Sequence, residues 1–244
     1  MYRATKNVSA AKELTSFGKA KIGLQWLLFK KGYGATNFFE VGTFMRTRET
    51  EKVPNVQFEF VPMLGEVQHG NVAIENGFQY YFSLMRPASE GRVWAGSADP
   101  MAAPKFLFNY LKERDDLDQA VQAVKAIRTT IRQKAWDDIR GEEVSPGPSF
   151  KTDDEIRSWL KSAASTNYHP CCSCRMGTDD RSVVDGNGKV HGIEGLRVVD
   201  ASIMPEIVSG NLNAPIIMMA EKIADDILGR TPLLPDPQPY FRLN

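Results

Sequence analysis

The chain of 244 residues contains no run of eighteen consecutive apolar residues, so hydropathy predicts no transmembrane helix. Charge of one sign is also missing. Thirty Lys and Arg offset thirty Asp and Glu, and bulk electrostatics therefore argue against a nucleic acid or an anionic membrane as partner. Cysteine is scarce, with three in all and every one inside a single short segment. That is no disulfide framework for a chain of this size, and a reducing compartment is the natural expectation. The opening "MYRATKNVSAAKELTSFGKAK" has no apolar core of the kind a secretory signal needs. Internal repeats, low-complexity tracts and a clean Pro/Gly/Ser linker are lacking as well. What remains, 42% apolar and 25% charged, is ordinary globular composition, enough for one large domain or two small ones.

The apolar residues that are present follow two periods. Val56, Phe58 and Phe60 alternate with Gln57 and Glu59, which predicts a half-buried strand over 55–63. Segments 77–87 and 91–97 read as two more strands with Pro87 to Gly91 as the turn between them, and together these predict an antiparallel sheet. From Asp116 to Trp136 the period changes: Leu117, Val121, Val124, Ile127 and Ile131 recur at helical steps after an acidic first turn. Thr152 and Glu155 stand at capping-box spacing and predict a helix over 151–163. "GLQWLLF" (23–29) reads as a short helix ended by the glycines that follow. Asp185-Gly186-Asn187-Gly188 predicts a hairpin within 182–192. "LRVVDAS" (196–202) reads as a short buried strand, and 214–230 as a strongly apolar helix closed by Gly229, with Ile216, Ile217, Ile223 and Ile227 in the core.

The segment "YHPCCSCRMG" (168–177) holds all three cysteines and one of three histidines. His169, Cys171, Cys172 and Cys174 formally make a zinc ligand set, but side chains on adjacent residues seldom converge on one point and no second cluster exists, so no metal is expected. A disulfide between neighbours is strained. The cysteines read as small semi-buried residues. His169, in a glycine-ended loop, reads either as a structural residue or as a base and hydrogen-bond donor.

That segment and the one after it, "VVDGNGKVHGIEGLRVVDASIMPEIVSGNLNAPIIMMAEKIADDILG", closely resemble the C-terminal part of the glucose–methanol–choline (GMC) flavoprotein oxidoreductases, and most of all their choline-oxidising members. "KIGLQWL", "GATNFFEVGTFMRTRE", "MRPASEGRVWAGSADPMAAPKFLFNYL" and "RGEEVSPG" extend the resemblance upstream in the same order. It implies an α+β fold: an antiparallel-sheet substrate-binding (cap) domain over 1–165, the C-terminal strand and helix of an FAD-binding α/β domain over 166–232, and a Pro-rich tail over 233–244. His169 matches the family's catalytic histidine and Asn211 its second catalytic position. Asp200 and Ala201 match the strand end that touches the ribityl chain of FAD, and Asn213, Ala214 and Pro215 the turn beside the flavin ring. Glu40 looks like the carboxylate that faces the ammonium of choline, with Tyr168 as an aromatic neighbour for the same cation. His69 is similar to a further active-site histidine of choline oxidases.

The activity so implied is hydride transfer from choline to FAD, giving betaine aldehyde on the way to glycine betaine. Another primary alcohol is the rival substrate, and a non-catalytic fragment the rival outside enzymology. The family's G-x-G-x-x-G turn for the ADP half of FAD has no counterpart here. The chain is therefore expected to be the C-terminal portion of an enzyme, with the missing N-terminal FAD-binding half as a partner, in the cytoplasm or at most peripheral to the inner membrane. Without that resemblance Asn211 would read as a helix cap, Asp200 as an Asx turn and Glu40 as a surface carboxylate.

Overall fold

The computed structural model describes residues 1–244 apart from 69–70, 232, 238 and 240–244, and the side chains of 66–68 and 71–73 are also left undescribed. The first elements in chain order are β1 (Tyr2–Ala4), α1 (Ser16–Phe29), β2 (Val41–Met45), β3 (Val56–Val61), β4 (Leu64–Gln68), β5 (Asn71–Glu75) and β6 (Gly77–Leu84). They are followed by β7 (Arg92–Trp94), β8 (Lys105–Leu107), α2 (Arg114–Ile131), β9 (Arg140–Glu143), α3 (Asp153–Ala163) and α4 (Asn213–Ile227). The chain forms two compact units, one of 1–84 with 111–164 and one of 85–110 with 165–244. Segment 85–110, expected with the substrate-binding region, thus joins the second unit. Arg86 donates to Ser209 Oγ at 2.6 Å and Arg181 pairs with Glu90 at 2.9 Å, which ties the segment there.

The first unit is built on a five-stranded antiparallel sheet in the order β2-β3-β6-β1-β9. Its register sorts the side chains. Thr43, Phe58 and Phe82 stand opposite one another, as do Gly42, Glu59 and Tyr81, and successive rows face opposite sides. The row of Val56 and Phe58 packs on Ala123 of α2, and Tyr2 and Phe78 pack on Ile131 of the same helix. The other flank of α2, through Leu117, Ala120, Val121 and Val124, meets Ile156 and Leu160 of α3. The helix is amphipathic on two sides because it is the filling between sheet and α3. Each fully buried aliphatic side chain there stabilises the fold by about 1.5–3 kcal/mol.

Polar groups fix the ends and the seams of this unit. Thr152 accepts from the Glu155 N–H while the Glu155 carboxylate accepts from the Thr152 N–H, so the predicted capping box closes and α3 starts where it should. Arg128, buried in α2, donates twice to the Glu143 carboxylate and to the carbonyls of Phe150 and Gly147. α1 is longer than the predicted 23–29. Thr15 caps its start by accepting from the Gly18 N–H, and Lys30 ends it in the left-handed region at φ 53°. It buries little: Phe17, Leu24, Leu27, Leu28 and Phe29 are all exposed.

β7 does not pair with β6 as expected. It forms its own two-stranded hairpin with β8 (Arg92↔Leu107, Trp94↔Lys105) in the second unit. Gly91 allows the approach, since a Cβ there would lie 2.4 Å from the Leu107 carbonyl oxygen.

The rest of the second unit is mostly loops around a small core of Val184, Ile203 and Ile223, with Met176, Val190, Val198 and Met219 against it. The predicted hairpin is present as a turn, with the Asp185 N–H donating to Lys189 O and the Gly188 N–H to Asp185 O. The predicted strand over 196–202 is not. Only the Lys189↔Arg197 bridge forms, and residues 201–203 turn into a 3-10 helix. An apolar run makes a strand only where a second strand accepts its ladder bonds, and none of the described residues does so beyond that bridge. α4 is helical as expected, with Gly229 in the left-handed region at φ 63° beyond its end. Its burial differs from expectation: Ile223 is buried, Ile216 half-buried, and Ile217 and Ile227 are 53% and 55% exposed.

Candidate active site

The histidine loop is held to the fold through its backbone. The Cys174 N–H donates to Ser202 O at 2.9 Å, the Met176 N–H to Ile203 O at 2.7 Å, and the Cys172 N–H to Ala201 O at 3.4 Å. Met176 and Ile203 then enter the core with Ile223 of α4. The loop bearing His169, the 200–203 turn and α4 therefore share one anchorage. Tyr168 and Cys172 both take left-handed backbone conformations, at φ 59° and 70°, which are uncommon for residues with a Cβ. The Tyr168 ring is 84% exposed and the His169 ring is exposed. Among the described residues neither the His169 ring nor the Asn211 amide has a hydrogen-bond partner.

The start of α4 separates the readings of Asn211. The capping position is Leu212, which is buried and offers no side-chain acceptor, so Asn211 does not cap the helix. The first N–H groups of α4, at exposed Asn213 and Ala214, are thereby left without a side-chain partner. Pro215 sits in the first turn, where its missing N–H costs no helical bond. Asp200 does make the local turn that its residue type predicts, its Oδ1 accepting from the Ser202 N–H at 2.8 Å. The residue is exposed. These groups fit the polar edge of a flavin: unpaired amides at a helix N-terminus favour the negative charge a reduced ring carries, and an exposed carboxylate accepts from hydroxyls.

A shallow cleft of about 450 Å³ opens beside them, lined by Arg175, residues 204–208, Pro215, Met218 and Met219. It shares Pro215 with the expected flavin-side residues and none of the others. Arg175 pairs with Asp179 at its rim. Among the described residues no three His, Cys, Asp or Glu side chains are grouped as metal ligands. No helix of the described residues is long and apolar enough to cross a membrane.

In the first unit, the sheet face turned away from α2 carries Gln57, Glu59 and Tyr81, with Phe39 stacked on Tyr81 at 6.4 Å between centroids. Glu40, on the loop into β2, is exposed next to Phe39. Phe58, Phe60 and Tyr80 lie on the α2 side and pack in the core. Glu59 was not singled out by the sequence reading, although the strand alternation already puts 57 and 59 on one face. His69 lies outside the described residues.

With this geometry in place, three comparisons bear on its meaning. The family model for the GMC oxidoreductase matches residues 87–220. The chain is 48% identical over 243 residues to a protein of Burkholderia ambifaria called oxygen-dependent choline dehydrogenase, covering 100% of this chain and 43% of that protein. The chain belongs to the GMC oxidoreductase family. A Xanthomonas axonopodis pv. citri protein of the same description is 48% identical over 98% of the chain and 43% of its own length. Among solved structures, a formate oxidase superposes with a TM-score of 0.81 at 21% identity over 93% of this chain and 45% of that one. A pyridoxine 4-oxidase from Mesorbium loti gives 0.73 at 22% identity, covering 94% and 41%. The GMC fold is thus present in part, and the chain spans less than half the length of the relatives it matches.

Proposed function

We propose that this chain is the substrate-side and catalytic-loop portion of an FAD-dependent GMC enzyme that oxidises choline to betaine aldehyde. The observation that carries the reading is the identity of 48% with a choline dehydrogenase, sustained over the full length of the chain. Asp200, Ala201, Asn213, Ala214 and Pro215 are the residues that would hold the flavin. Bound there, the flavin supplies the hydride acceptor. His169 takes the substrate hydroxyl proton at a ring nitrogen, and the Asn211 amide donates to the alkoxide oxygen that develops. Their lack of hydrogen-bond partners among the described residues suits such roles. Glu40, beside the Phe39–Tyr81 pair, supports a trimethylammonium group, which cannot donate hydrogen bonds and is recognised by carboxylate charge and aromatic faces.

The N-terminal FAD-binding half is the partner this reading needs, and the exposed apolar side chains of α4 and α1 give it surfaces to cover. Co-purification of the chain with the part of the Burkholderia ambifaria relative outside the matched segment tests both points. Flavin absorbance in the complex with choline-dependent dye reduction is the expected result. A complex that holds flavin and turns over only neutral primary alcohols moves the assignment to the rival substrate. Absence of flavin from every mixture removes the enzyme reading.

A further inference from the structure

Cys171 and Cys172 are neighbours in sequence, and their sulfurs lie 3.3 Å apart. All three cysteines are free and half-buried. In extended chain, adjacent side chains point to opposite sides. Here the left-handed backbone of Cys172, at φ 70°, turns the two thiols together. Cys174 is tied to Ser202 through its N–H. Nothing in the proposed oxidation uses either sulfur.

Three covalent fates can be weighed by geometry. A direct disulfide needs a sulfur separation of about 2.05 Å and Cα atoms about 4.4–6.8 Å apart, whereas consecutive Cα atoms across a trans peptide are about 3.8 Å apart, so the bond would be strained. A single bridging atom suits the pair better. Two bonds of roughly 2.3 Å, the length of a metal–thiolate bond, reaching sulfurs 3.3 Å apart subtend about 90° at the bridge. That angle matches a pyramidal three-coordinate centre and falls well short of the tetrahedral angle zinc prefers. Zinc would also require further ligands, and the described residues group none.

We propose that Cys171 and Cys172 form a vicinal-dithiol site that captures a trivalent arsenical across both sulfurs. With phenylarsine oxide the two S–H bonds and the bonds from arsenic to oxygen break, and two As–S bonds form. The oxygen leaves as water with both thiol protons, and arsenic stays trivalent with no electrons transferred. The phenyl group fills the third position, so no further protein ligand is needed. Burial, with the neighbouring Cys171 second, pushes the Cys172 thiol up to about 12. A reagent that reacts with one thiolate at a time therefore meets little of its reactive form at neutral pH. The bridged product fixes the 171–172 backbone two residues after His169. The site itself stands on the thiol geometry and does not depend on the proposed oxidation.

The test is titration of the purified 244-residue chain with phenylarsine oxide, read by intact mass and by counting residual thiols. One phenylarsenic per chain is expected, with three titratable thiols falling to one, released by a dithiol and retained against a monothiol at equal concentration. Cys174→Ser should capture as the natural chain does, while Cys171→Ser and Cys172→Ser should each weaken capture at least a hundredfold. Fragment masses of the adduct on the unsubstituted chain locate the bridge even if a variant misfolds. A bridge that includes Cys174, or capture that survives loss of Cys171 or Cys172, overturns the proposal, as does no dithiol-reversible capture at all.

Discussion

Arg128 is the residue on which the first unit leans most heavily. Its guanidinium is 11% exposed and Glu143 beside it 14%, and two carbonyls accept from two further donors. Arg128→Ala leaves that carboxylate buried with nothing to neutralise it and should destabilise the chain by about 3–5 kcal/mol in urea denaturation. Removing both partners together, as Arg128→Met with Glu143→Leu, should cost much less, because no charge is stranded. Tyr2 gives a pH signature. Burial first, and the nearby Glu143 second, push its phenol up to about 12 from the usual 10. A raised phenol pKa means its stabilisation is complete below pH 10 and drains away as pH rises from 10 to 12, by about 2–3 kcal/mol. Tyr2→Phe should flatten that part of the stability–pH curve. Glu40 tests the substrate: in the complete enzyme Glu40→Gln should raise KM for choline and leave a neutral alcohol unchanged. Equal effects on both would remove the choline assignment. At this scale the sequence offered His169 as one of two readings of its loop, and pointed to Asn211 through resemblance alone. The freedom of Asn211 from capping became visible only when Leu212 proved to be the capping residue.

Among the elements, those that bury one regular face were readable in advance. β3, β6, α2 and α3 each show a clear period of two or of three to four, and each packs as that period requires. The capping box at Thr152 sets the start of α3, and Thr152→Ala should cost about 1 kcal/mol, measured as a shift in denaturation midpoint. Two short strands escaped notice for the opposite reason: β1 and β8 have three residues each, too few to show alternation. "LRVVDAS" failed because Val198 and Val199 report only a wish to be buried, and a strand also needs a neighbour. The turn before it has its own demand. Gly188 sits at φ 74°, where a Cβ would meet Val198 O at 2.6 Å, so Gly188→Ala should unsettle the hairpin and lower stability more than its solvent-facing neighbour Gly186→Ala.

For the whole molecule, the mismatch between apolar sequence and observed exposure is the informative quantity. Ile217 and Leu228, the residue that caps the C-terminal end of α4, are eleven residues apart, about three helical turns, and fall on one stripe that the described residues leave open. Apolar surface of this kind is normally covered. Ile217→Glu with Leu228→Glu should weaken association with the N-terminal half by tenfold or more while shifting the stability of the chain itself by no more than about 0.5 kcal/mol. Hydrophobicity alone could not have told core from the proposed contact surface here, since both are written with the same residues. The five-stranded sheet of the first unit carries the opposite separation. Odd positions 57, 59 and 81 face the open side, and even positions 58, 60, 80 and 82 face α2. On the proposed reading, substrate contact and foldability fall on alternate letters of the same strands. A library randomising only the odd letters could retarget the enzyme to bulkier cations, whereas a one-residue insertion in β3 would exchange the two alphabets and ruin both.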